Sequence, residues 1–436
     1  MSSMFRLSGF LAAMVFLALT TVVLGAPQQD KTDSLLDKAY PDAPIAELAK
    51  LVRRHGVGAF EEFSAAHKGK FPIITARKDG LVDVTFVYKA KSQVLSVTVL
   101  GPSFGPNANR MQRLPTTDVW YLTLPAPADA QFRYAFLLES MPPDTPGLDP
   151  LLRHSVLEME GDPLNPPPDA RRSLVKLPGA PPETYSTRRT SVPKGKLETG
   201  TITSRILKEA RTFTVYTPAG WNGQPPANLL LVFDGEAYGS AAQPIIPTPI
   251  VLDNLLADHK IGPTVAIMVN NMGRRNRDLT CSKPFATFLA EELVPWVKQH
   301  YTISADPSRT GVAGSSLGGL CSAYVALQYP RVVGSVLSQS GSYWFYPDYE
   351  TAVFPARLEQ SLIQSYFDSP RLPIQLYMEV GTLEGDAMVQ TNRRLRDILR
   401  LKGYSVTYRE YSDAHDYQTW HESLADGLIA LLGARK

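Results

Sequence analysis

The chain has 436 residues, 44% of them hydrophobic and 20% charged, which is enough for about two or three domains with buried cores. Its 44 basic and 42 acidic residues leave a net charge of +2. That balance excludes a general polyanion-binding surface, argues against nucleic acid as a partner, and makes any basic site a local one.

Residues 1–25 carry one early arginine, Arg6, an apolar run from Phe10 to Leu24, and the small residues Gly25 and Ala26 where a peptidase would cut. The run is shorter than the ~20 residues that span a bilayer, so it reads as a signal peptide in preference to a retained anchor. The expected location is the bacterial periplasm or the medium, with no stable membrane insertion once the signal is removed. An exported protein meets an oxidising compartment, and two readings of Cys281 and Cys321 stay open, a disulfide or two buried thiols. Their spacing builds no metal site.

Residues 26–70 follow, and within them "PDAPIAELAKLVRRHGVGAFEEFSAAHKGK", Pro41 to Lys70, has apolar residues at helical spacing broken at His55-Gly56. This predicts two short packing helices. From Phe71 the period changes to two. "LVDVTFVYKA", "QVLSVTVLG", "DVWYLTLP" and "FRYAFLLES" alternate and are divided by turn residues, predicting a small antiparallel sandwich of immunoglobulin-like type over residues 71–165. Prolines crowd the stretch from Met141 to Pro193 and deny it inner-strand and helix hydrogen bonds, so 166–195 reads as a semi-rigid linker.

Residues 196–436 alternate strand and helix. "RTFTVYTPAGW", "NLLLVFDGEAY", "GPTVAIMVNN", "RTGVAGSS", "VVGSVLSQSG", "LPIQLYMEVG" and "YSVTYREYS" read as strands, several apolar throughout as a sheet covered on both faces requires. Between and after them lie the amphipathic segments "FATFLAEELVPWVKQHY", "GLCSAYVALQYP", "NRRLRDILRLKG" and "YQTWHESLADGLIALL". The order predicts a doubly wound α/β domain.

Within it, Gly314-Ser315-Ser316-Leu317-Gly318 fits Gly-x-Ser-x-Gly where a strand gives way to a helix, the placement of a nucleophile elbow. A side chain at either flanking glycine is expected to crowd strand or helix. A hydroxyl needs a base, so the pattern calls for an acid and then a histidine further along, both at strand ends. Glu384 in "EVGTLEGDAM" and His415 in "YSDAHDYQTW" meet that demand. Asp386 and Glu379 compete for the acid; Glu379 lies inside the strand, and loop position favours Glu384. Ser315 reads as packing, His300 and His421 as surface or core residues, and Asp416 as the cap of the final helix. The oxyanion amides are expected from Leu317 and from Gly235 or Glu236 in "VFDGEAY", with Asp234 either shaping that loop or merely turning it. The fold class is therefore an α/β-hydrolase domain preceded by a β sandwich, and the activity acyl transfer without metal or cofactor.

"VFDGEAY", "NRDLTCSKPFATFLAEELVPW", "RTGVAGSSLGGL", "VLSQSGSYWF" and "DAHDYQTW", preceded by a β domain ending in "DPLNP", resemble the enterochelin (enterobactin) esterase family within the wider esterase D group. The resemblance covers nearly all of the chain after the signal. It implies a serine esterase acting on the trilactone of a catecholate siderophore, ferric or apo, as an aid to iron release. Residue by residue, it implies Ser316 as nucleophile, His415 as base and Glu384 as acid. Family members with the β domain often act in the cytoplasm, and the leader of this chain departs from that pattern. A carbohydrate, feruloyl or acetyl esterase of the esterase D type is the alternative.

The loop "MGRRNRDL" adds Arg274, Arg275 and Arg277 at the same sheet edge. Arg277 and Arg274 are the expected contacts for an anionic ligand, since arginine pairs with oxygens in a planar fork, against the bland reading of a solvated loop. Tyr343 and Trp344 are expected to wall the pocket with aromatic surface, against plain packing.

Overall fold

A computed structural model describes residues 26–91, 94–102, 109–140, 155–167, 172–239, 245–346 and 361–433. The leader and the first proline cluster, 141–150, fall outside the described residues. The chain divides into two compact units, the first ending at Pro178 and the second continuing from Gly179, with Asp129–Phe132 counted in the second.

The first unit opens with helices Ala26–Ala39, Ala43–His55 and Ala59–Ala66. The predicted break at His55-Gly56 is a single 3-10 turn, with Gly56 at φ +59°, a conformation that favours glycine. Strands β1 (Ile73–Ala76), β2 (Leu81–Lys89), β4 (Gln112–Arg113) and β5 (Val119–Pro127) form one antiparallel sheet in the order β1-β2-β5-β4. The second sheet holds β3 (Ser96–Leu100), β6 (Gln131–Ser140), β7 (Val156–Glu160) and β8 (Ser173–Lys176), with β6 pairing the other three. The sheets face each other through Phe86 on β2 and Tyr134 on β6, whose rings meet edge to face at 4.9 Å. The opposite face of β2, at Val87, packs with Leu36, Ile45, Leu48 and Phe63 of the helices. β2 is thus covered on both sides, which is why five consecutive residues along it are buried.

The expected linker is shorter than its prolines suggest. Its proline-free piece "SLVK" is β8, with Ser173 and Val175 buried. The part after Gly179 does run over a surface of its own unit. Arg188 pairs with Asp253 at 2.6 Å, Asn254 Nδ2 donates to the carbonyls of Tyr185 and Thr187, and Ser186 donates to Glu422.

The second unit is built on an eight-stranded sheet. Its strands are β9 (Lys196–Ser204), β10 (Glu209–Thr217), β11 (Asn228–Val232), β12 (Thr264–Val269), β13 (Thr310–Ser315), β14 (Ser335–Gln339), β15 (Gln375–Gly381) and β16 (Ser405–Tyr411). The order is β16-β15-β14-β13-β11-β12-β10-β9; β11 to β16 are parallel and β9 and β10 run antiparallel at one edge. Alternate residues of β11 enter different cores. Leu229 and Leu231 pack with helices Lys283–Phe288, Val294–His300 and Leu317–Gln328, while Leu230 and Val232 pack with Thr248–Ala257 and Tyr417–Leu432. Each such side chain contributes roughly 1.5–3 kcal/mol on burial, which fixes strand register and the sheet edge above it. Among the described residues of this unit, the helices Gly235–Tyr238, Thr248–Ala257, Arg275–Leu279 and Leu362–Asp368 and the edge strand β9 stand outside the sequence reading.

Candidate active site

Every candidate catalytic side chain sits just past the carboxyl end of a parallel strand, where an open α/β sheet collects its ligands. β13 delivers Ser316, β15 delivers Glu384, β16 delivers His415 and β11 delivers Gly235.

Ser316 has φ +58° and ψ −118°, a strained turn between β13 and the helix Leu317–Gln328. Its amide donates to the Gln339 carbonyl at 2.9 Å, and its carbonyl accepts from Ser342 and Leu320 at 3.0 and 3.1 Å, so the bend is fixed on three sides. The glycines divide the work differently from expectation. A Cβ on Gly314 would fall 2.7 Å from the Gly318 carbonyl carbon, a clash of backbone on backbone, whereas one on Gly318 would meet Asp234 Oδ2 at 3.4 Å and Phe233 Cβ at 3.6 Å, both ordinary contacts. Gly318 therefore has room. The second tight position is Gly319, whose Cβ would lie 2.7 Å from Ser338 Oγ and 2.9 Å from Gly341 Cα.

The His415 Nε2 lies 3.0 Å from Ser316 Oγ, and its Nδ1 lies 2.6 Å from Glu384 Oε2. The remaining Glu384 oxygen, Oε1, accepts from the Gly381 amide at 2.6 Å and from the Ser340 hydroxyl. The Glu384 side chain has no exposed surface, while His415 is about a third open at 32%. The structure thus lines up a hydroxyl, an imidazole and a carboxylate in hydrogen-bond contact, with the imidazole accessible from outside. A serine so placed can be deprotonated as it attacks, and the carboxylate fixes the tautomer that leaves Nε2 free to accept.

The other acids take other places. Asp386 is exposed at the start of the helix Asp386–Leu401, and Glu379 is buried within β15. Asp416 caps the final helix by accepting from the Gln418 amide at 2.6 Å. His300 stacks on Trp296 with ring centroids 4.1 Å apart, and His421 pairs with Glu422. Ser315 is buried as the last residue of β13. The cysteines are both free thiols in the second unit's core, and burial pushes Cys281 up to about 12.

Leu317 opens its helix and Gly235 opens the turn Gly235–Tyr238, so their amides, with that of Glu236, stand outside the intrahelical ladder and are available to an oxyanion. Asp234 has left-handed backbone, φ +55°, and its carboxylate accepts both ends of the Arg275 fork at 2.7 and 3.0 Å as well as Asn271 Nδ2. It shapes the loop. The Glu236 carboxylate is tied to the amides of Asn271 and Met272.

The two expected arginines are held by carboxylates of this chain while remaining half-exposed. Arg277 donates to Glu209 at 2.6 Å and to Asp278 at 2.8 Å, and Arg274 pairs with Glu209 at 2.8 Å. Arg211 shares the same two carboxylates, so Glu209 and Asp278 hold all three guanidinium groups in one cluster. Tyr343 is no pocket wall: it is 1% exposed and its hydroxyl donates to Ser338 at 2.7 Å beneath the elbow helix. Trp344 is half-buried and packs against Val380, Met388 and Val389. The sequence reading names Arg275 only as a member of its loop, and it contains no role for Ser340, Trp420 or Ser342, whose hydroxyl lies 3.2 Å from Ser316 Oγ. The signal for two of them was at hand, since "SQSGSYW" ends the strand beside the elbow strand.

Known proteins agree with this architecture. A family model described as "Putative esterase" matches residues 204–431, and a second, "Enterochelin esterase, N-terminal", matches 83–186. An iron(III) enterobactin esterase of Dickeya dadantii (strain 3937) is 26% identical over 399 residues, covering 83% of this chain and 90% of the relative. An iron(III) salmochelin esterase of Escherichia coli O6:H1 is 26% identical over 419 residues, covering 90% and 98%. Among solved structures, the enterobactin esterase of Shigella flexneri determined in the presence of enterobactin superposes with a TM-score of 0.64 at 25% identity, covering 85% of this chain and 97% of that one.

Proposed function

The chain belongs to the Esterase family, and on that premise we propose that it is a serine esterase hydrolysing the ester bonds of a catecholate siderophore trilactone of the enterobactin kind, ferric or apo, so aiding iron release. It is a carboxylic ester hydrolase. The observation that carries the chemistry is the unbroken contact from Ser316 Oγ through His415 to Glu384, at 3.0 and 2.6 Å. Support for the substrate comes from the enterochelin-type match over 83–186 joined to the esterase match, and from relatives named for enterobactin and salmochelin.

In this reading the Ser316 oxygen bonds to the ester carbonyl carbon while His415 Nε2 takes its proton. The amides of Leu317 and of Gly235 or Glu236 receive the developing oxyanion, and Glu384 steadies the imidazolium. The carbon–oxygen bond to the leaving alcohol breaks as His415 returns the proton to it. Water then attacks the acyl-enzyme, its proton passing through His415 to Ser316, and the acid leaves. Residues 1–25 serve as the export signal, placing the enzyme in the periplasm or the medium. Among the described residues no helix is long and apolar enough to cross a membrane.

Ferric and apo enterobactin incubated with the purified mature protein, with products resolved by mass spectrometry, test the reading. Linear trimer followed by shorter fragments is expected, and none with Ser316→Ala. Intact enterobactin beside hydrolysed feruloyl or acetyl sugars would overturn the substrate, and turnover by Ser316→Ala would overturn the nucleophile.

A further inference from the structure

Ser340 directly follows β14, beside the elbow strand, and turns with φ +49°, a left-handed conformation unusual for a residue with a side chain. Its amide is tied to the Glu379 carbonyl at 2.9 Å, and it is fully buried. That twist brings its hydroxyl against Glu384 Oε1. The Trp420 indole Nε1 lies 2.9 Å from the same hydroxyl oxygen. An indole N–H can only donate, and a serine hydroxyl has one proton to give. Trp420 therefore donates to Ser340, and the Ser340 proton is directed at Glu384. With the Gly381 amide this supplies two donors to Oε1 and leaves Oε2 facing His415 Nδ1. The Trp420 ring also meets the His415 ring edge-on, with centroids 4.9 Å apart at 88°. Because the Glu384 side chain is closed to solvent, water cannot stand in for a missing donor.

We propose that Trp420 and Ser340 form a directed hydrogen-bond relay that orients the Glu384 carboxylate toward His415, making both of them positioning residues for the esterase reaction. The relay acts through Glu384 and His415, so it governs the chemical step and leaves ground-state binding alone. It rests on the assignment of Ser316, His415 and Glu384 made above.

The test uses Ser340→Ala, Trp420→Phe, which keeps an aromatic ring but loses the N–H together with the second ring of the indole, and the double variant. Active sites are counted with a fluorophosphonate so that misfolded protein drops out, and turnover of a small aryl ester is measured per titrated site. Each single variant is expected to lose about tenfold in kcat, the scale of one hydrogen bond to a charged group, with KM kept within about twofold. The double variant is expected to fall no further than Ser340→Ala, because both changes break one relay. Wild-type kcat per site in Trp420→Phe, a loss that appears in KM alone, or losses that multiply in the double variant would each overturn the proposal. Ser316→Ala is run alongside; hydrolysis by that variant would sink the reading of the site itself, an outcome separate from the other three.

Discussion

Asp234 places a carboxylate beside amides that are to receive an oxyanion, since a Cβ on Gly318 in the elbow helix would come within 3.4 Å of its Oδ2. An uncompensated negative charge there would oppose the charge that develops on the substrate oxygen. Arg275 removes that conflict by taking both Asp234 oxygens, and the same fork holds the left-handed turn that presents the Gly235 amide. Arg275→Ala is therefore expected to lower kcat about tenfold, on the scale of one charged hydrogen bond. Arg277→Ala, which removes a half-exposed guanidinium while Arg211 and Arg274 still pair with Glu209 and Asp278, is expected to leave kcat and KM unchanged; steady-state kinetics on a small aryl ester check both. The sequence shows three arginines in one loop and ranks Arg277 first. It does not show that Glu209, at the start of a strand far back in the chain, lies beneath two of them. Ser316, Glu384 and His415 were legible because strand ends converge on one edge in any parallel sheet. Which arginine faces which carboxylate depends on cross-strand neighbours, which no local pattern encodes.

Strands buried on both faces announce themselves as apolar runs, as β11 and β12 do. β9 was missed because it is an edge strand with mostly exposed or half-exposed positions, so "KLETGTITS" carries no apolar stripe. The helix expected over "FATFLAEELVPWVKQHY" is present but opens into a π turn at Leu289–Leu293 just ahead of Pro295. A proline lacks the donor and clashes with the preceding turn, and the wider turn accommodates it. The elbow glycines were read as equivalent, and only the packing separates them. Gly314→Ala must push strand backbone away from helix backbone, whereas Gly318→Ala makes an ordinary contact. Gly314→Ala is expected to lose fluorophosphonate labelling by at least about a hundredfold, as a misplaced nucleophile does. Gly318→Ala is expected to label at near the wild-type rate, and the labelling time course read by intact mass distinguishes them.

Two carboxyls of the second unit, Glu379 and Asp413, are buried and pushed up by removal from water, Asp413 to about 7. Glu379, whose place inside a strand argues against a catalytic role, is completely buried in β15, where Ser423 and Gln339 donate to one of its oxygens. Gln339 in turn accepts the Ser316 amide, so this buried cluster underlies the reactive edge. Removal from water pushes the Glu379 carboxyl up to about 8. An unfolded glutamate titrates near ~4.3, so between there and about 8 the folded protein binds a proton that the unfolded chain releases. The associated stability is complete below the unfolded value and is lost as pH rises through the folded one. Carboxylates held low by arginines, such as Asp258 and Glu410, exert their opposite effect in more acid solution and do not mask this window. Glu379→Gln removes the ionisation while keeping the shape. Calorimetry of wild type and variant from pH 5 to 9 is expected to show the wild-type Tm falling steadily relative to the variant from pH 5 to about 8 and levelling off above it. Parallel curves across that range would mean the buried carboxyl ionises without penalty, and the packing account of this unit would fail with it.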